Sequence, residues 1–183
     1  MNRILKYIQG TLDYGLWYPH NNDFTLSGYT DVDWGGFDDK KSTNGATFFL
    51  GDCLVAWHSK KQDCVTLSIC ESEYVATTTC CTQLIWMDYQ LSNLGIQVSK
   101  PISIMCDNMS AIQLRKNPIM HSCTRHVAIK LHFLRDKVLN NEFKLIYEPT
   151  QGQVVDVFFK ALPRELFEQL RTRLEVFSQS MLI

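Results

Sequence analysis

Three runs near the front of the chain gather apolar residues between turn signals: FTLSGYTDVDW (24–34), NGATFFLG (44–51) and CLVAWHS (53–59), separated by GGFDDKKS and GD. Runs of this length, rich in β-branched and aromatic residues, predict strands, and the short links predict an antiparallel meander. From Glu71 to Leu94 the spacing becomes helical, with Gly95 where a helix C-cap is expected and Ser68-x-x-Glu71 offering a capping box at the start. PISIMCD (101–107) reads as a buried strand, NMSAIQLRKN (108–117) as a short helix stopped by Pro118, and CTRHVAIKLHFLRDKVLNN (123–141) as a longer helix. FKLIYEP is a last strand, and VVDVFFKAL opens a terminal helix that runs, with a break at Pro163, towards Phe177. Upstream, residues 1–18 predict a short amphipathic helix carrying Ile4, Leu5 and Ile8, then a strand GLWY. The order βββαβααβα implies an α/β fold, a mixed sheet with helices packed on it. Its first strand is central if the fourth returns beside it through a right-handed crossover.

Length and composition narrow the class. With 183 residues, 45% of them hydrophobic, the chain suits one domain with an ample core. No apolar run approaches the roughly 20 residues that span a bilayer, and the opening MNRILKYIQG lacks a secretory signal, so an intracellular protein without a membrane partner is expected. Seven cysteines without a CxxC pair fit neither a disulfide framework nor a zinc ribbon. His121, Cys123, His126 and His132 have zinc-binding residue types, but their spacing matches no closed site. A net charge of -1 confines any nucleic-acid contact to a local patch.

The chemistry is carried by acids. Asp31 interrupts an apolar strand and Asp107 closes another, where it serves equally well as a cap for the following helix. On the long helix Glu71 and Glu73 point about 200° apart, so one of them faces the sheet. Glu73 heads the stripe of Ala76, Cys80, Leu84, Met87, Leu91 and Leu94, whereas Glu71 shares its side with Thr78, Thr82, Tyr89 and Asn93. Asp156 lies in the first turn of the terminal helix, a place that the helix dipole alone favours for an acid. Four acids at the ends of apolar elements, in the order strand, helix, strand, helix, are more than capping requires. Carboxylates gathered in one pocket repel unless cations offset them, and an all-oxygen set selects magnesium (Mg2+) or manganese (Mn2+). Two such ions, about 4 Å apart, suit in-line displacement at phosphorus.

Longer motifs add a resemblance. RILKYIQGTLDYGLWY, GYTDVDWGG, KKSTNGATFFLG, AWHSKKQ, ESEYVA, CDNMSAI, NPIMHSCTRHVAIKLHFLRDKV and DVFFKALPRELFEQLR together resemble the ribonuclease H domain of copia-type retrotransposon polyproteins. The resemblance implies the ribonuclease H-like fold with a mixed five-stranded sheet, and metal-dependent cutting of the RNA strand of an RNA/DNA hybrid. It implies Asp31, Glu73, Asp107 and Asp156 as catalytic metal ligands for two ions, with Asp33 a supporting or turn residue. It also implies that residues 1–22 are the tail of the reverse transcriptase connection, that 23–183 form the ribonuclease H-like domain, and that the protein works in a cytoplasmic retrotransposon particle. Three positions depart from the family pattern: Cys70 before the helix glutamates, Ala128 where an Asp is usual, and Phe159 where a Thr usually precedes Lys160. Cellular enzymes of this class carry a His in the loop before the last helix, and residues 147–153 have none.

A hybrid is read by shape and sugar contacts in its minor groove. Candidates for phosphate contact are Lys60 and Lys61, with Lys40 and Lys41 nearby, and the helix edge of His126, Lys130 and Lys137. Asn108 and Ser110 suit a 2′-hydroxyl or a helix cap, and Trp34, Trp57 and Tyr74 suit either stacking or the core. Two rival readings remain. One is a transposase or integrase core, with Glu142 about 35 residues after Asp107, in a turn poorly placed to reach the strand ends. The other is a truncated or repurposed, catalytically inactive fragment that binds nucleic acid or protein.

Overall fold

The computed structural model describes residues 2–20, 23–35, 40–109 and 125–181. The short helix expected at 108–117, Ser110, and the His121 and Cys123 of the zinc pattern lie outside the described residues, as does the side chain of His126.

Strands β2 (Leu26–Asp33), β3 (Thr43–Leu50) and β4 (Cys53–Lys61) form the meander, while β5 (Ile102–Cys106) and β6 (Phe143–Tyr147) join in parallel, giving the order β4-β3-β2-β5-β6. β2 is therefore central, as the pattern predicts. Alternation along it divides two layers. Leu26 and Gly28 face helix α2 (Ile69–Asn93), which packs with Ala46, Phe48, Ile102, Ile104 and Cys106 in the main core. Tyr29 faces the other way, into a second core of Phe49, Leu54, Val154, Leu170 and Leu174. Helix α3 (Arg125–Leu139) lies against α2, burying Val127 and Leu134.

Ser68 caps α2 by accepting the Glu71 N–H at 3.2 Å, and Gly95 follows it at φ +79°, a left-handed conformation that glycine adopts without a Cβ penalty. The Glu71 carboxylate accepts the Leu67 N–H at 2.8 Å instead of closing the predicted capping box. Both Glu71 and Glu73 are buried, because the first turns of α2 are enclosed all round.

The carboxyl-terminal region departs from expectation. Val154–Phe158 forms a 3₁₀ turn, since its β-branched residues favour helix weakly and Val154 and Val155 are buried in a tight corner. Helix α4 (Arg164–Arg173) starts after Pro163 and ends at Arg173, short of Phe177. Beyond it, β7 (Val176–Ser178) pairs antiparallel with β1 (Tyr14–Leu16), which follows helix α1 (Asn2–Gly10). Local pattern gave no sign of β7, whose three residues pair with a partner more than 150 positions away. No helix among the described residues is long and apolar enough to cross a membrane.

Candidate active site

Parallel pairing of Tyr29 with Met105 carries Asp31 and Asp107 to matching positions at the carboxyl ends of β2 and β5. The N-terminal turn of α2 brings Glu73 to the same place from the opposite layer. One carboxylate oxygen from each of Asp31, Glu73 and Asp107 lies within 4.8 Å of the others. Asp31 and Glu73 are buried, and Asp107 is half-buried. The Val32 N–H donates to Asp31 Oδ1 at 2.7 Å, which fixes the carboxylate. Asp156 reaches Asp31 from the 3₁₀ turn, and Lys160 stands between them. Its Nζ is hydrogen-bonded to Asp31 Oδ2 and lies 2.9 Å from Asp156 Oδ1. Three of the four acids named by the sequence thus share one cluster, and Asp156 adjoins it through Asp31 and Lys160.

Their electrostatics are those of an anion cluster that Lys160 offsets only in part. Burial, then the charges of Asp31 and Asp107, push the Glu73 carboxyl up to about 9, against a partial offset from Lys160. Burial and Asp31 raise Asp107, and burial with the Asp31 hydrogen bond raises Asp156 to about 7. Burial opposes the Lys160 charge, but its bonds to Asp31 and Asp156 outweigh that and hold the ammonium protonated. Glu73 Oε2 is buried with no hydrogen-bond partner. A buried carboxylate oxygen without a donor is costly, and a hard cation satisfies it. The donor set therefore fits a magnesium-type ion.

Residues 148–153 support the cluster, and the sequence reading overlooked how. Thr150 Oγ1 lies 3.4 Å from Asp107 Oδ2, in the loop where cellular enzymes place a His. Gln153 Nε2 donates to the Thr30 carbonyl at 3.1 Å, tying the turn before Asp156 to the strand that carries Asp31. Arg173 clamps the loop from α4, donating to Glu148 Oε1 at 3.2 Å, to the Gly152 carbonyl at 2.6 Å and to Tyr29 Oη at 3.3 Å. A Cβ at Gly152 would overlap Glu148 Oε1, so glycine is what lets the clamp close. Arg173→Met is expected to cost about 1 kcal/mol in chemical denaturation, the upper end for a solvent-exposed ion pair, because the side chain is 42% exposed. An unchanged denaturation midpoint would remove the clamp from the account. Lys160, four residues after Asp156, had a visible signal in that i,i+4 spacing.

The remaining candidates scatter. Lys60 and Lys61 lie on edge strand β4 opposite Asn44 and Thr43, about two strand spacings, or roughly 10 Å, from β2 at the site end of the sheet. Asn108 follows Asp107 directly. Lys130 sits on α3 against α2, where its carbonyl accepts the Thr78 hydroxyl at 3.3 Å. Lys137 pairs with Glu142 at 2.8 Å, at the opposite end of β5 from Asp107, which removes Lys137 from the expected phosphate edge. Five residues of strand, about 16 Å, separate Glu142 from the cluster, so the integrase arrangement is absent here. Asp33 and Trp34 are exposed, Trp57 stacks on Phe158 with centroids 5.7 Å apart, and Tyr74 is core. Phe159 lies against Gly45, the β3 partner of Asp31, with Lys160 Nζ 5.4 Å from its ring centroid. That departure from the family pattern is a packed residue beside the site.

No family model matches the chain. It is 37% identical over 177 residues, 96% of its length, to the "Retrovirus-related Pol polyprotein from transposon RE2" of Arabidopsis thaliana. The chain spans about 12% of the length of this relative and of the related polyprotein from transposon RE1 of the same plant, to which it is 36% identical. Among solved structures, it resembles the foamy viral protease-reverse transcriptase in complex with dsDNA, with TM-score 0.53, 15% identity, and coverage of 81% of this chain and 29% of that one. It also resembles LC11-RNase H1 in complex with RNA/DNA hybrid, with TM-score 0.50, 10% identity, and coverage of 70% and 88%.

Proposed function

The chain is a homologue of a segment of the retrovirus-related Pol polyproteins of copia-type transposons, with a ribonuclease H-like fold, and on that premise we propose that it hydrolyses the RNA strand of RNA/DNA hybrids. The observation that carries this reading is the convergence of Asp31, Glu73 and Asp107 around an unpartnered, buried Glu73 oxygen. These three residues would hold one magnesium or manganese ion, and Asp31 with Asp156 a second. Bound divalent ions supply Lewis-acid activation of water and stabilisation of the leaving oxygen.

The chain's own residues do the positioning. The Val32 N–H aims Asp31, Thr150 faces Asp107, and the rigid start of α2 delivers Glu73. Enclosure between two layers lowers the local dielectric and strengthens each charge interaction. Lys60, Lys61, His126 and Lys130 are the proposed phosphate contacts, and Asn108 and Ser110 the proposed 2′-hydroxyl contacts. LC11-RNase H1, solved with an RNA/DNA hybrid, supports that substrate class. Residues 1–22 are proposed as the tail of the reverse transcriptase connection and 23–183 as the nuclease domain. The upstream reverse transcriptase of the same polyprotein would be its partner, in a cytoplasmic retrotransposon particle.

Purified protein is expected to cleave a labelled RNA/DNA hybrid with magnesium or manganese, and Asp107→Asn to stop the cutting with the fold intact by circular dichroism. Cleavage unaffected by Asp107→Asn refutes the site. A folded wild-type chain that binds hybrid without cutting it establishes the inactive-fragment reading instead.

A further inference from the structure

Lys160 occupies the place that a second cation would take. Its ammonium touches Asp31 Oδ2 and Asp156 Oδ1 at once, on the two residues that would hold the proposed second ion. The Lys160 side chain is 30% exposed while both carboxylates are almost wholly buried, so the ammonium reaches in from the solvent side. An ammonium and a divalent ion cannot share two oxygens, because both need contact distance and they repel each other. The division of the site is therefore uneven. Lys160 is in contact with Asp31 and Asp156, whereas it reaches Glu73 only through its charge, and Glu73 Oε2 has no hydrogen-bond partner. Phe159, packed on Gly45, lies beside Lys160 and limits the directions in which it can swing.

Resting on the metal-centre reading above, we propose that Lys160 serves as an internal cation that keeps the second ion out of the substrate-free site. The chain alone then takes up one divalent ion, at Asp31, Glu73 and Asp107. A second enters only when Lys160 withdraws, which a phosphate oxygen brought by substrate favours by adding negative charge and an extra ligand. Metal stoichiometry is thereby linked to the presence of a phosphodiester.

The test is calorimetric titration of the 183-residue chain with manganese chloride, with ion number checked by electron paramagnetic resonance. Wild type is expected to bind one ion. Lys160→Met is expected to bind two, or to tighten the second site at least tenfold. Lys160→Arg, which keeps a cation, is expected to bind one, and it guards against a Met variant that fails to fold. Melting in EDTA gives a readout independent of metal: Lys160→Met is expected to melt below wild type, because Asp31 and Asp156 then face each other without a cation. Two ions of similar affinity in wild type, or one ion in a folded Lys160→Met, overturn the proposal and leave the metal centre standing. No ion bound by any of the three proteins overturns the metal centre itself, and this proposal with it.

Discussion

Glu73→Gln is expected to abolish hybrid cleavage and at the same time to raise the melting temperature of the metal-free protein at neutral pH. Glu73 is 4% exposed, and burial with the neighbouring Asp31 and Asp107 charges lifts its carboxyl to about 9 from an ordinary 4.5. Between those values the folded chain holds a proton that the unfolded chain releases. A raised carboxyl of this kind contributes stability that is complete below about 4.5 and is lost as pH climbs through about 9. Gln has the shape of the protonated acid and cannot ionise in either state. It therefore removes a penalty on the order of a few kcal/mol at pH 7, shrinking towards zero near pH 5. Asp156, raised to about 7, leaves a smaller slope of the same sign in the variant. Melting curves in EDTA at pH 5, 7 and 9 check this. Wild type should lose stability as pH rises, and the variant should lose less. Manganese added at pH 8 should stabilise wild type and do little for the variant. A wild-type melting temperature that increases with pH would contradict the electrostatic account.

Gly28→Val is expected to cost about 3 kcal/mol, the upper end for overpacking a filled core. Gly28 sits in the central strand directly under α2, where an added Cβ would lie 3.0 Å from Cys80 Sγ, 3.2 Å from Leu84 Cδ1 and 3.4 Å from the Thr47 carbonyl. Cys80 and Leu84 are both 0% exposed, so neither has room to retreat. Two further methyl groups must lift α2 from the sheet, and Glu73 rides on that helix. Urea denaturation should show the loss, and the variant that still folds should bind manganese more weakly. Gly28→Ala, whose single methyl asks neighbours to yield a few tenths of an ångström, should show a smaller loss. A Val variant as stable as wild type would mean that the strand-to-helix spacing is looser than these contacts imply.

The sheet was legible because its signal is local. Apolar alternation in 24–61 and the largely apolar run at 102–106 specify strands, and Gly95 with Ser68 marks the ends of α2. The acids were legible for a related reason: Asp31, Glu73 and Asp156 are charges where periodicity demands apolar residues, so each announces a cost that needs an explanation. What pattern could not show was pairing at long range. β7 meets β1, Arg173 meets Glu148, and Lys160 meets Asp31 across 129 positions, contacts fixed by the fold and not by neighbouring residues. The 3₁₀ turn at 154–158 stands where the pattern predicts regular helix, because an apolar stretch carries no signature of the corner it must turn.

The small β1–β7 ribbon has a mechanical consequence. Leu16 and Val176 from its two strands pack into the same cluster as Val154, two residues before Asp156. Tension applied through the leading segment would shear three residue pairs of that ribbon and then tug on the turn that bears Asp156. Asp31, Glu73 and Asp107 are borne by the central sheet and the long helix, which join that turn through the Gln153–Thr30 bond and through Lys160. One carboxylate of four is thus on a leash held by the front of the chain, and the other three feel the pull only through those links.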